Sequence, residues 1–213
     1  MVKVKQFTFN PFSENTFILW DDETNEAAAI DPGMSTINEQ NTFTDYIEKH
    51  NLNIKYLINT HCHIDHILGC KYVKEKFNPV YYAPEKDLIL LDNASKQAEM
   101  FDIVLENPPK PDKLILDDSE IYLGQSKIKF LFTPGHTPGE YCLYIEKEKI
   151  CVTGDVLFKE GIGRTDLWGG DYKTLMNSIE KKLLSLPDDV IIFPGHGESS
   201  TIGHEKQYNP FLV

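Results

Sequence analysis

"INTHCHIDHILGC", residues Ile58 to Cys70, sets three histidines and one aspartate within six positions directly after an apolar run. An HxHxDH array carries imidazoles at alternating positions of a tight turn, then offers a carboxylate and a further imidazole to the opposite side. Imidazole with carboxylate suits zinc, iron or manganese, and the absence of a liganding thiol argues against a Cys-rich structural zinc site. Cys62, between two of the donors, reads as a neighbour turned away from them. His61, His63, Asp65 and His66 are too close in sequence to close one tetrahedral site by themselves. Two adjacent ions are the natural solution, and they need further ligands.

Those ligands are found further along the chain. His136 in "TPGHTPG", Asp155 in "VTGD" and His196 in "FPGHG" each follow an apolar strand-like run, so all three can be delivered to one edge of a sheet. The other two histidines read differently. His50 ends the charged helix "YIEKHN", where it complements the helix dipole, and His204 lies in the tail, as a residue near the pocket or as a local cap.

Around these motifs the chain alternates elements. "KVKQFTF", "ENTFILWD" and "EAAAID" are strand-like, and Asp31-Pro32-Gly33 punctuates a turn. "STINEQNTFTDYIEKHN" predicts a helix with Ile37, Phe43 and Ile47 on its apolar face and a serine at its N-cap. A buried strand, "IKYLIN", leads into the histidine cluster. "ILGCKYVKEKF" predicts one helix, "VYYA" a short strand, and Glu85 to Glu106 a helix-compatible stretch. It ends at "NPPKPD", where proline cannot continue a helix. That stretch, near 107–112, is a joint between two halves of one domain spanning 1–213. Beyond it "KLILDD", "EIYLG", "KIKFLFTP", "YCLYIEK" and "KICVTGD" are strand-like. "YKTLMNSIEKKLLSL" predicts a helix with Leu175, Ile179, Leu183 and Leu186 on one face, and "DVIIFPGHG" a last strand.

Composition narrows the function. With 21 Lys and Arg against 33 Asp and Glu, the 213-residue chain has a formal charge of −12, which disfavours nucleic acid and anionic membranes as partners. No apolar run reaches the length of a membrane span, and "MVKVKQFTF" has no signal-peptide pattern, so a soluble cytoplasmic protein is expected. The four cysteines form no CxxC pair and are expected as reduced thiols.

In their order and contexts, "THCHIDH", "PGHTPG", "TGD" and "PGHG" resemble the metallo-β-lactamase superfamily over essentially the whole chain. Within it, "GIGRTDLWGGD" and the tail "TIGHEKQYNPF" resemble short, single-domain type II glyoxalase-like (hydroxyacylglutathione hydrolase-like) proteins. The resemblance implies an α/β (α+β) fold, the four-layer αββα sandwich of that superfamily. It implies two divalent ions, zinc with iron or manganese as alternatives. His61, His63 and His136 would bind the first, Asp65, His66 and His196 the second, and Asp155 would bridge both.

The expected chemistry is hydrolysis of a small-molecule thioester such as an S-(2-hydroxyacyl)glutathione. A metal-bridging hydroxide held by Asp155 and both ions would attack, with no protein nucleophile and with Asp65 a ligand and not a base. Arg164 is a candidate anchor for a substrate carboxylate, an ion pair with Asp166 being its other reading. Phe158, Trp168, Tyr172 and His204 are candidates for the substrate pocket. The larger glyoxalase II enzymes bind glutathione partly through a C-terminal helical domain, whereas only a short tail follows His196 here. A mononuclear-iron persulfide dioxygenase, a lactonase or another ester hydrolase of the same fold are the alternative enzymes, and the oligomeric state stays open.

Overall fold

The computed structural model describes residues 1–117 and 119–212, and the chain divides into two compact units. The first comprises 1–115 and 122–126, the second 116–121 and 127–213. The backbone therefore enters the second unit, returns to the first for five residues, and leaves again.

In the first unit, β1 (Val2–Phe9), β2 (Glu14–Asp21) and β3 (Glu26–Ile30) form an antiparallel meander. The helix α1 (Ile37–Lys49) carries the chain over to β4 (Asn53–Ile58), which pairs parallel to β3. The apolar cluster that buries these elements takes Phe43 and Ile47 from α1, Leu57 from β4 and Ala27 and Ala29 from β3. The expected face of α1 needs one correction, because Ile37 is 73% exposed while Phe43, Thr44 and Ile47 are buried. The cap is also one residue later than read: Thr36, not Ser35, accepts from the Glu39 N–H, and Glu39 reaches back to the Thr36 N–H in a capping box.

The single helix expected after the histidine cluster is two, α2 (Ile64–Ile67) and α3 (Cys70–Phe77). The break has a steric cause. The Gly69 N–H donates to the Pro32 carbonyl at 2.7 Å, and a Cβ on Gly69 would lie 2.9 Å from both that oxygen and the Met34 sulfur. β5 (Val80–Pro84) adds parallel to β4, followed by a short 3-10 turn at Glu85–Asp87, α4 (Leu88–Asp92) and α5 (Ala94–Met100). The helix-compatible stretch is thus helical only to Met100. β6 (Lys113–Ile115) closes the sheet order β1-β2-β3-β4-β5-β6. The returning residues lock onto the meander: the Gly124 N–H donates to Glu26 Oε2 at 3.1 Å, and a Cβ on Gly124 would lie 2.4 Å from Asp21 Cγ.

β7 (Glu120–Leu123) straddles the boundary between the units. The second unit then holds β8 (Ser126–Phe132), β9 (Tyr141–Ile145) and β10 (Ile150–Gly154), successively antiparallel. A two-strand hairpin follows, β11 (Leu157–Phe158) with β12 (Gly161–Ile162). The helix α6 (Tyr172–Ser178) continues as a π-helical turn over Ile179–Leu183, so that Leu175, Ile179 and Leu183 are fully buried as expected and Leu186 partly. β13 (Ile191–Pro194) pairs parallel to β10, β14 (Ser200–Thr201) antiparallel to β13, and α7 (Ile202–Tyr208) is the last element among the described residues. No helix among the described residues is long and apolar enough to cross a membrane.

Cys62, Cys70, Cys142 and Cys151 are all buried and free, and burial pushes the Cys62, Cys70 and Cys142 thiols up. Native protein is expected to react with an aromatic disulfide reagent at none of its thiols, and at all four once denatured. Phe43→Ala should cost about 3–5 kcal/mol in denaturant unfolding, the range for emptying a buried aromatic site.

Candidate metal centre

The first unit gathers its donors at the end of β4. His61 and His66 are fully buried and His63 nearly so, with ring centroids 5.0 Å apart for His61 and His63 and 4.0 Å for His61 and His66. Asp65 Oδ2 lies 3.6 Å from His66 Nε2. All four residues singled out in the sequence motif therefore converge.

Behind His61 and His66 stands Asp31, directly after β3, with a left-handed φ of 47°. Its carboxylate accepts from the Thr60 N–H at 2.7 Å, the Thr60 hydroxyl at 2.6 Å and the Asn59 side-chain amide at 3.3 Å, and lies 3.3 Å from His66 Nδ1. Asn59 in turn donates to the His66 carbonyl at 2.8 Å and accepts from the Tyr81 hydroxyl at 2.8 Å. The Thr60 oxygen is 3.1 Å from His61 Nδ1. The Nδ1 of each ring thus faces a polar group behind it, Thr60 for His61 and Asp31 for His66, which leaves Nε2 as the atom that could serve a metal. Asp31, His61 and His66 have ligand atoms within 4.8 Å of one another. Asp31 already accepts from Thr60 and Asn59, so it orients the ligands. The Asn10 amide ties the Asp65 carbonyl to the β1–β2 turn at 3.0 Å. Cys62 packs into the apolar core, as its reading required.

The second unit gathers three donors. Asp155 follows β10 and His196 follows β13, strands that run parallel side by side and are joined past their ends by the Gly195 N–H to Gly154 carbonyl bond at 2.7 Å. His136 comes from the turn after β8. Asp155 Oδ2 stands 3.5 Å from His136 Nε2 and 3.6 Å from His196 Nε2, a single oxygen between two imidazoles. A carbonyl only accepts, so the 2.7 Å contact from His136 Nδ1 to the Arg164 oxygen puts the proton on Nδ1 and leaves Nε2 as the donor atom. Glu140, fully buried, accepts the Asp155 N–H at 2.7 Å. Gly135 has no room for a side chain: its φ is 134° and a Cβ would lie 2.2 Å from the Leu175 backbone nitrogen. Imidazole nitrogens and carboxylate oxygens with orienting partners behind them fit hard to borderline divalent cations.

The pocket candidates divide. Phe158 stands edge-on to His196, with centroids 6.2 Å apart. The Arg164 guanidinium is held by Asp166 through Nε at 2.7 Å and Nη2 at 2.8 Å, and this pair keeps the Asp166 carboxyl down at about 2. Trp168 and Tyr172 are exposed. His204 Nε2 lies 3.0 Å from Glu160 Oε1, and its ring lies against Tyr208. His50 caps α1 against Tyr46. Asp31 and Glu140 escaped the sequence reading as orienting groups. The one signal in the sequence was an aspartate ending an all-apolar strand, "AAAID". Asp31→Asn should lower metal affinity about 10- to 100-fold, the usual effect of losing an orienting carboxylate, read by competition with a chromophoric chelator.

A family model described as "Metallo-beta-lactamase superfamily" matches residues 9–196. Hydroxyacylglutathione hydrolase GloC of Haemophilus influenzae is 42% identical over 94% of this chain and 93% of its own length. Among solved structures, the BLEG-1 B3 metallo-beta-lactamase superposes with a TM-score of 0.91 at 32% identity, covering 99% of this chain and 100% of its own. TTHA1623, solved in a di-iron-bound form, gives a TM-score of 0.88 at 30% identity over 98% of this chain and 100% of its own. The α/β fold class expected from the sequence is the one these structures share, and the chain belongs to the metallo-beta-lactamase superfamily.

Proposed function

We propose that this metal-dependent hydrolase cleaves thioesters, with a 2-hydroxyacyl thioester of glutathione as the leading substrate, at a centre of two ions. The observation that carries the reading is the single Asp155 oxygen between His136 and His196, a carboxylate disposed to serve two ions at once. In this reading His61, His63 and His136 hold one ion, Asp65, His66 and His196 the other, and Asp155 both. The ions are zinc, with iron or manganese as alternatives, and TTHA1623 is a relative found with two irons. The identity to GloC supports the choice of a hydroxyacyl thioester.

When bound, the ions supply an activated water near neutral pH and an electrophile for the acyl oxygen. The chain supplies the rest. The Arg164 carbonyl holds Nδ1 of His136, and the Asp31 carboxylate stands 3.3 Å from Nδ1 of His66, so both rings are disposed to offer Nε2 to an ion. Glu140 fixes the Asp155 backbone and with it the carboxylate. Phe158 beside His196 offers an apolar wall to the acyl group. Arg164, Trp168, Tyr172 and His204 complete the proposed substrate surface, with a substrate carboxylate exchanging for Asp166 on the guanidinium. No serine or cysteine nucleophile is needed, and the buried thiols are not disposed to act as one.

Protein purified without added metal or chelator should carry about two ions per chain and hydrolyse S-(2-hydroxyacyl)glutathiones faster than matched oxygen esters or lactones. Chelation should abolish the activity and zinc restore it. Asp155→Ala should lose an ion and at least about 100-fold in rate, since it removes a ligand. One iron per chain with O2-dependent oxidation of a persulfide, or preferential cleavage of lactones, would overturn the thioester reading.

A further inference from the structure

The tail motif "TIGHEKQYNPF" is left unexplained by the metal ligands, yet it contains two polar side chains that are wholly buried, Glu205 and Asn209. Such residues are seldom fully buried unless their polar atoms are matched. Here each is matched in part to one element, the β11–β12 hairpin. Glu205 Oε2 accepts from the Glu160 N–H at 2.8 Å and from the Asn209 amide at 2.8 Å, and the Ser200 hydroxyl donates to the other oxygen. Asn209 Nδ2 also donates to the Gly161 carbonyl at 3.0 Å. His204 adds a contact to the Glu160 side chain. Glu160 and Gly161 are the tip of the β11–β12 hairpin, and Glu160 takes a left-handed φ of 55° there.

That hairpin cannot set its own position. It has two residues in each strand and two register pairs, far below what a hairpin needs to hold itself together in water. The hairpin and the two residues that follow it nevertheless reach every donor of the second unit. Phe158 stands against the His196 ring. Gly163, just past β12, donates to the Val156 carbonyl at 3.2 Å and presses on Asp155, where a Cβ would fall 1.8 Å from the carbonyl oxygen. Arg164 presents the carbonyl that fixes His136.

We infer that the C-terminal helix is a positioning device for the metal centre: Glu205 and Asn209 fix the β11–β12 hairpin, which in turn sets His196, Asp155 and His136. Glu205 and Asn209 are positioning residues, touching neither metal nor substrate, and the inference rests on the two-ion reading above. It also gives the tail a role that needs no contact with the thiol carrier.

The test compares Glu205→Gln and Asn209→Ala with Lys206→Ala, a control on the same helix whose salt bridge goes to Asp188 at 2.6 Å and not to the hairpin. Each protein is loaded with cobalt for its absorption spectrum, titrated with zinc against a chelator, and checked by circular dichroism and thermal melting. Both hairpin variants, folded at 25 °C, are expected to show an altered cobalt spectrum and zinc affinity lower by about tenfold, the scale of an indirect ligand contact. Lys206→Ala should shift the melting temperature alone. Should Glu205→Gln fail to fold, Ser200→Ala, which removes one donor to Glu205, takes its place. Hairpin variants with the wild-type spectrum and zinc affinity, differing only in melting temperature, would overturn the inference. Wild-type protein that takes up no cobalt would instead overturn the two-ion reading and this one with it.

Discussion

The carboxylate of Asp31 accepts hydrogen bonds from both ends of Thr60 and from Asn59, and faces the Nδ1 of His66. A fully buried charge without partners would be prohibitively costly, so these donors and the carboxylate need each other. The arrangement forces β3 and β4 to end at the same level and turns the backbone after Ile58 sharply enough that consecutive residues contribute side chains to one spot. The second unit reaches the same end differently. There the fixed points are a backbone carbonyl behind His136 and a buried glutamate behind the Asp155 amide. In both units the candidate donors follow strand ends, in loops or, for Asp65 and His66, in the short helix α2, with orienting groups behind them.

Much of the candidate site was legible because the donor types are distinctive. His61, His63, Asp65 and His66 within one turn, and His136, Asp155 and His196 each behind an apolar run, announce themselves through residue type and placement. The longer strands likewise followed from their apolar runs, whereas the two-residue strands β11, β12 and β14 carry no such run and were not foreseen. The errors have local causes. The helix after the cluster divides because Gly69 must approach Pro32, which no periodicity reveals. Ile37 is exposed because it sits in the first turn of α1, outside the arc that faces the core. Residues 101–106 are helix-compatible in composition without a helical period, so composition misled there, whereas the joint at 107–112 is non-helical as its prolines required. The orienting roles of Asp31 and Glu140 depend on which backbone amide arrives opposite them. That is decided by tertiary packing.

The surroundings of the donors also bear on selectivity. A chain with a net charge of −12 offers an anionic substrate little long-range attraction, so recognition must be local. The guanidinium of Arg164 is exposed and neutralised by Asp166, and Phe158 is the aromatic ring beside a donor. Under the proposed reading, recognition would then rest on the carboxylate exchange at Arg164 and on Phe158 beside His196.

The path of the chain between the units has a consequence for synthesis on the ribosome. Residues 122–126 belong to the first unit, where Gly124 is seated against Asp21 and Glu26. Translation delivers the whole sheet from Val2 to Ile115 before that segment exists, and domains emerging N-terminus first begin to fold as they appear. The first unit therefore cannot be completed when its last strand leaves the exit tunnel. It must wait, with the turn around Asp21 uncovered, until the opening residues of the second unit have also emerged, so the first unit is completed only after part of the second has been made.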